Sequence, residues 1–229
     1  MSKLEFILPG TEIAMELTCW GGLPVPFGTK DLEHFKTVFI SVWETILSKD
    51  RVTVESHWSC HGRETGRPPR VELSDGQVNL NPHALATASS IGMQIIFRWQ
   101  ICHRMPDDVL KALIAHEMAH VYQSAIGISE HNITVKDLRG IVLDESQICG
   151  RLRDDALIEI HADETMTTWG FDYVVPSAYL RQHYDFKNDD YVRRKTPRNQ
   201  VRSYRAAKRD RGLNRFDFRR VGGVARLDS

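Results

Sequence analysis

The sequence lacks closely spaced cysteines. Its four cysteines, Cys19, Cys60, Cys102 and Cys149, form no C-x-x-C pair. This spacing excludes a zinc ribbon built on paired cysteines and does not favour the dense disulfide framework of small secreted domains. We therefore expect reduced thiols with structural roles.

Long apolar segments are also missing. No stretch approaches the roughly 18 uninterrupted apolar residues of a membrane-spanning helix, and the nearest lies around residues 91–97. The apolar run at the N-terminus is too short for a secretory signal, and no small-residue cleavage site follows it. The sequence thus predicts a protein without a membrane span and with a cytoplasmic location.

Net charge is zero, yet the charges are unevenly distributed. Residues 191–229 hold 13 Lys or Arg against three Asp. A basic segment behind an acidic body is typical of contact with a polyanion, usually nucleic acid such as DNA. The alternative is a solvated tail that only balances the acidic body, and composition does not separate the two. The candidate polyanion-binding residues are Arg193, Arg194, Lys195, Arg198, Arg202, Arg205, Lys208, Arg209 and Arg211.

The rest of the composition is that of a globular protein. Hydrophobic residues make up 41% and charged residues 26% of the 229 positions, which excludes a disordered or fibrous chain. The mixture of strand and helix patterns predicts an α+β fold with a small antiparallel sheet or hairpin. We expect one domain over residues 1–185 and a basic C-terminal extension over residues 186–229.

Apolar spacing predicts the elements that precede the first motif. The pattern indicates a helix from Thr29 or Lys30 to about Ser48, and alternation indicates a strand over residues 51–58. Around Asp75-Gly76, Val71 and Leu73 are expected to face Val78 and Leu80 in a hairpin. Residues 83–103 are mostly apolar and predict a helix that ends before Pro106.

An H-E-x-x-H motif stands within the next predicted helix, which runs from Asp107 to about Ala125. It comprises His116, Glu117 and His120. Histidines four residues apart project from one face of a helix, so both imidazoles can bind one zinc ion. The glutamate between them is placed to polarise a water bound to that ion. The motif therefore predicts a site for one Zn²⁺ ion, with Glu117 as the catalytic base.

A catalytic zinc ion needs a third protein ligand. The best candidate is Glu159, on a predicted helix from Ala156 to Trp169 that ends at Gly170. Asp163 lies four residues further on and could accept the ring N–H of a histidine ligand. His161 and His131 remain open as alternative third ligands. Glu159 and His161 are rivals, because residues two apart on a helix point about 200° away from each other.

These motifs resemble those of the gluzincins, a group of zinc metallopeptidases. The resemblance rests on the segment Ala115 to Gln123, the segment Glu159 to Glu164, and Trp169-Gly170-Phe171. In gluzincins, an H-E-x-x-H helix is completed by an E-x-x-x-D helix whose glutamate is the third ligand. The likeness implies a zincin-like protease domain in which His116, His120 and Glu159 bind zinc, Glu117 is the general base and Asp163 orients a ligand.

A looser likeness extends to the SprT-like proteases, which are associated with DNA and the repair of protein crosslinks. It rests on the segment Val78 to Pro82 ahead of the metal helix. SprT-like sites usually take a third histidine soon after the motif, and the zinc ribbon of these proteins is missing here, since the tail has no paired cysteines. The residues before position 70 and the basic extension match no family pattern.

The implied reaction is hydrolysis of a peptide bond. Substrate is expected to lie extended along an exposed sheet edge, for which the hairpin of residues 70–81 is a candidate. Tyr179, Arg181 and His183 are candidates for stabilising the transition state, since they follow the second metal helix.

Two other functions stay open. One is a nucleic-acid-binding or regulatory protein with a structural or non-catalytic metal site. The other is a zinc hydrolase that acts on a non-peptide amide.

Overall fold

The computed structural model describes residues 2–19, 29–74, 86–89, 91–128, 133–136, 142–143, 156–173, 175 and 217–220. They form an α+β fold. The main sheet consists of β1 (Ser2–Ile7), β2 (Ala14–Cys19), β3 (Arg70–Ser74), β4 (Ala86–Ala88) and β5 (Gln94–Arg98). The helices are α1 (Thr29–Thr45), α2 (Ser48–Thr65), α3 (Trp99–Cys102), α4 (Asp107–Ala125) and α5 (Ala156–Thr168). None of these described helices is both long and apolar enough to cross a membrane.

The main sheet is larger than the sequence predicted, and it is mixed. Its strands lie in the order β1-β2-β3-β5-β4. The pairs β2–β3 and β3–β5 are parallel, whereas β1–β2 and β4–β5 are antiparallel. Parallel neighbours need a crossover connection, which α1 and α2 provide between β2 and β3. The predicted antiparallel sheet was therefore wrong in the direction of its central strands.

The first predicted helix is confirmed as α1, but the strand expected at residues 51–58 is wrong. That segment lies within α2. Val54 and Trp58 are buried four residues apart, whereas Val52 is 61% exposed. Burial therefore follows the helical period, and the alternating valines that indicated a strand lie on different faces.

The predicted hairpin of Val71 and Leu73 with Val78 and Leu80 is also wrong. Both edges of β3 are occupied, because Val71 pairs with Leu17 of β2 on one side and with Ile95 of β5 on the other. Val78 and Leu80 themselves lie outside the described residues.

The apolar helix predicted over residues 83–103 is wrong as well. This segment contains the antiparallel strands β4 and β5, followed by the short helix α3. In β5, both Ile95 and Ile96 are buried, so its two faces are apolar and the pattern does not distinguish a strand from a buried helix. In the turn between the strands, Gly92 has φ of 66°, and its carbonyl accepts a 2.7 Å hydrogen bond from Trp58 Nε1.

The two helices that carry the motifs are confirmed. Helix α4 has the predicted limits and begins directly after Pro106, with Asp107 and Asp108 in its first turn. Carboxylates there interact favourably with the positive end of the helix dipole. Helix α5 ends just before Gly170, whose φ of 92° is a conformation that glycine adopts readily.

A buried carboxylate joins three of the helices. Asp50 of α2 is only 5% exposed and accepts a 2.9 Å hydrogen bond from Trp169 Nε1, just beyond α5. Tyr122 of α4 also bonds to this carboxylate, and burial together with the charge of Asp50 raises the pKa of Tyr122 to about 12. The Asp50 cluster, comprising Asp50, Tyr122 and Trp169, thereby fixes α4 and α5 on a common support.

We expect Asp50→Ala to lower the free energy of unfolding by about 2–4 kcal/mol, because the buried Trp169 N–H and the half-buried Tyr122 O–H lose their acceptor and a buried unsatisfied group costs about 1–3 kcal/mol. Urea unfolding of the metal-free protein measures this loss. Asp50→Asn should lose less, since its amide oxygen can still accept from Trp169. Lys49→Ala, at the exposed neighbouring position, should change stability by no more than about 0.5 kcal/mol. Wild-type stability of Asp50→Ala would contradict the role of the cluster.

A second, smaller sheet includes part of the basic extension. Its strands are β6 (Ile133–Lys136), β7 (Val142–Leu143) and β8 (Asp217–Arg220), in the order β7-β6-β8. Strand β8 pairs antiparallel with β6, which follows α4 in the chain. Residues 217–220 are thus paired with a strand that follows α4, while the predicted boundary at residues 185–186 lies outside the described residues.

Candidate metal centre

The two histidines of the motif lie one turn apart on α4 and face the same point. Their ring centroids are 4.7 Å apart, and the Nε2 atoms are separated by 3.1 Å. Both side chains are less than a fifth exposed and contact carboxylates of α5. The histidine pair is therefore largely shielded from solvent and is directed towards the second helix.

Glu159 of α5 completes a group of three possible metal ligands. Its Oε2 lies 3.2 Å from His116 Nε2 and its Oε1 lies 3.6 Å from His120 Nε2. One ligand atom from each of the three residues can be chosen so that all lie within 4.8 Å of one another. Tetrahedral zinc with bonds of about 2.0–2.1 Å requires ligand atoms roughly 3.3 Å apart. The observed separations fit a zinc ion held by these three side chains.

Asp163 lies behind the first histidine. Its Oδ1 is 3.0 Å from His116 Nδ1, one turn along α5 from Glu159. A proton on Nδ1 is donated to this carboxylate, which leaves the lone pair of Nε2 for a metal ion. The structure thus brings Asp163 to the position expected of an orienting carboxylate.

The charges of this group perturb one another. Burial lowers the pKa of His116, but hydrogen bonds to Asp163 and Glu159 and their negative charges raise it well above its ordinary value. Burial raises the pKa of Glu159, but its contacts with His116 and His120 hold that pKa well below its usual range. An imidazole that binds a metal ion must give up the proton on its ligand nitrogen, so zinc binding at this site is expected to release protons.

Glu117 lies in the same turn of α4 and is 4% exposed. Its Oε2 is buried and has no hydrogen-bond partner among the described residues. Burial raises the pKa of Glu117 against the lowering effect of the two neighbouring histidines. An unpartnered buried carboxylate oxygen is costly unless a water or ligand satisfies it. This oxygen is suited to accept a proton from a water held at the metal position.

Strand β4 runs past this carboxylate. A backbone hydrogen bond from Ala88 in β4 lowers the pKa of Glu117, opposing the effect of burial. Strand β4 is the last strand on its side of the sheet and pairs with β5 alone among the described strands. Among the described strands, the sheet edge beside the candidate base is thus β4, whereas β3 (Arg70–Ser74) lies inside the sheet.

His161, the rival third ligand, is directed elsewhere. It is 2% exposed, and its Nδ1 lies 3.0 Å from Gln123 Nε2 and 3.3 Å from Thr165 Oγ1. Burial and the nearby charge of His120 lower the pKa of His161 to about 4. The described geometry groups Glu159, and not His161, with the histidine pair.

Sequence reasoning assigned no role to Gln123, which contacts the site directly. Its Oε1 lies 2.8 Å from His120 Nδ1. The signal was its position three residues after His120, because residues three apart are neighbours on a helix surface.

Several candidate residues lie outside the described part of the chain. They are the alternative ligand His131, the candidate transition-state residues Tyr179, Arg181 and His183, and the basic residues Arg193, Arg194, Lys195, Arg198, Arg202, Arg205, Lys208, Arg209 and Arg211.

Comparison with known proteins adds no relative. No protein-family model, curated protein or solved structure matches this chain. The likeness to gluzincins and SprT-like proteases therefore stays a prediction from the motifs, and any function must be argued from the site itself.

Proposed function

We propose that this chain is a zinc-dependent metallopeptidase with a zincin-like domain. The observation that carries the proposal is the grouping of His116, His120 and Glu159 beside the unpartnered buried oxygen of Glu117. Three protein ligands that leave a fourth position open are typical of catalytic zinc, whereas structural zinc sites use four. The carboxylate next to the ligands supplies the base that such a reaction needs.

The residues around the proposed zinc ion have separate roles in this reaction. A bound zinc ion would bring the pKa of its water towards about 7 and polarise the peptide carbonyl. Glu117 then removes a proton from the attacking water and delivers it to the amine that leaves. Asp163 keeps His116 in the tautomer that offers Nε2 to the metal.

The substrate would lie along β4. A peptide in extended conformation can add to the outer edge of a sheet through main-chain hydrogen bonds, which hold it without demanding a particular sequence. Strand β4 is such an edge and reaches Glu117 through Ala88. A peptide paired with β4 would therefore pass close to the base.

Removal of the metal is expected to abolish hydrolysis. We expect the purified protein to contain zinc, and a strong chelator to stop cleavage of an unfolded protein substrate because the water loses its activating ion. Added Zn²⁺ should restore the activity. Elemental analysis and a gel or fluorescence assay measure the two effects. Cleavage that persists after complete metal removal contradicts the proposal, and a protein that binds zinc but cleaves no peptide favours a non-catalytic metal site.

A further inference from the structure

The side-chain amide of Gln123 is oriented by the backbone of α5. Its Nε2 donates a 2.8 Å hydrogen bond to the carbonyl oxygen of Ile158. An amide nitrogen can donate to a carbonyl and an amide oxygen cannot, so this contact fixes which end of the amide is which. Gln123 Oε1 must then face His120 Nδ1 at 2.8 Å.

This orientation determines the tautomer of His120. Oε1 has no proton to give, so the 2.8 Å contact requires that Nδ1 of His120 carries the proton and donates it. The lone pair of the neutral ring is then on Nε2, the atom that faces His116 and Glu159. Gln123 therefore does for His120 what Asp163 does for His116, with a neutral amide in place of a carboxylate.

The second N–H of the amide reaches His161. Gln123 Nε2 lies 3.0 Å from His161 Nδ1, which must act as the acceptor. Thr165 Oγ1 approaches the same nitrogen at 3.3 Å. Both the Gln123 and the His161 side chains are buried, being 3% and 2% exposed. The buried His161 thus helps to hold the amide that faces His120.

We propose that Gln123 is a positioning residue for the metal ligand His120, and that His161 acts on the metal only through Gln123. The inference rests on the proposed zinc site but needs no peptidase activity. It assigns the buried histidine of α5 a role different from that of a ligand. It also explains why α4 and α5 must be docked in register for both histidine ligands to present Nε2.

The zinc affinity of two variants of Gln123 tests the first half of the proposal. Gln123→Met removes the acceptor and should raise the Kd for zinc by roughly 10- to 100-fold, the usual effect of losing a partner behind a ligand. Competition with a chromophoric chelator measures the Kd. Gln123→Glu keeps an acceptor for His120 but places a carboxylate oxygen against the carbonyl oxygen of Ile158, where neither atom can donate a hydrogen bond. It should be less stable than wild type and yet bind zinc more tightly than Gln123→Met.

A double-mutant cycle tests the second half of the proposal. His161→Phe should raise the Kd less than Gln123→Met, because the carbonyl of Ile158 still holds the amide. The variant with both changes should bind zinc no more weakly than Gln123→Met alone, since residues that act through one another are not additive. Asp108→Asn, in the exposed first turn of α4, is the matched control and should leave the Kd unchanged.

A spectroscopic readout requires no metal. In long-range ¹H–¹⁵N spectra of the metal-free protein at alkaline pH, His120 should carry its proton on Nδ1, and Gln123→Met should lose this preference. Wild-type zinc affinity in Gln123→Met overturns the proposal. A zinc affinity that falls only in proportion to the loss of folding stability across the variants also overturns it. If the fold-increases in the Kd multiply in the double variant, His161 acts independently of Gln123 and its proposed role is wrong. Absence of zinc binding in the wild-type protein refutes the proposed function, whereas the tautomer of His120 still decides the role of Gln123.

Discussion

Glu117→Gln is expected to reduce kcat for peptide hydrolysis by about 10²–10⁴-fold, the range that a positioned general base contributes. Glutamine has nearly the same shape, but it cannot accept the proton of the attacking water. Because Glu117 is not among the three ligands, zinc content should stay at the wild-type level. Steady-state kinetics and elemental analysis of the same preparation measure both quantities.

The control for this change lies on the same helix. Asp108→Asn removes a carboxylate from the first turn of α4, where the side chain is exposed, and should leave kcat unchanged. If Glu117→Gln is fully active, the carboxylate is not the base. If it loses zinc instead, Glu117 supports the metal and the assigned proton transfer is wrong.

Glu159→Ala should weaken zinc binding more than any other single change on α5. It removes a candidate ligand, so the Kd should rise beyond the roughly 100-fold that marks the upper range for partners behind a ligand. Asp163→Ala removes such a partner and should fall within roughly 10- to 100-fold. Thr168→Ala, at the exposed end of the same helix, should have no effect.

The order of these effects identifies the third ligand. Chelator competition on the metal-loaded variants gives each Kd directly. Near wild-type affinity in Glu159→Ala would show that the acid is not a ligand. A greater loss in His161→Phe than in Glu159→Ala would transfer the ligand role to His161, against the direction in which its ring points.

The two motif helices were predictable because their signals are local. In α4, the proline before the first turn and the spacing of His116 and His120 act within one helix. In α5, Glu159 and Asp163 are likewise four residues apart and end up on the metal side together. The sequence left Glu159 and His161 as rivals for the third ligand, and in the described packing Glu159 is the one that lies beside the histidine pair.

The sheet was not predictable in the same way. Val71 of β3 pairs with residues of β2 and β5 that are far from it in sequence. A pattern of neighbouring residues carries no information about such pairing. The apolar run at residues 94–98 is buried on both faces and carries no period of two. The hairpin and helix predictions failed for this reason, because strand neighbours depend on tertiary contacts.

Gln123 and His161 illustrate a further limit. A glutamine three residues after His120 is ordinary on a helix surface, and a histidine on α5 has the chemistry of a ligand. Their proposed roles depend on how the carbonyl of Ile158 orients the Gln123 amide. This hydrogen bond joins two helices, and its two residues are 35 positions apart in the sequence. Only the packing of the two helices distinguishes a candidate metal ligand from a residue that orients one.

The Asp50 cluster has a consequence for how the ion arrives. Trp169 and Tyr122 bond to a carboxylate that is not one of the candidate ligands, so contacts outside the candidate metal site align the helices that carry the imidazoles and the acid. Capture of zinc then requires little further loss of backbone freedom. Zinc binding is therefore expected to change the fold little, in contrast to zinc fingers, which fold only as the ion binds.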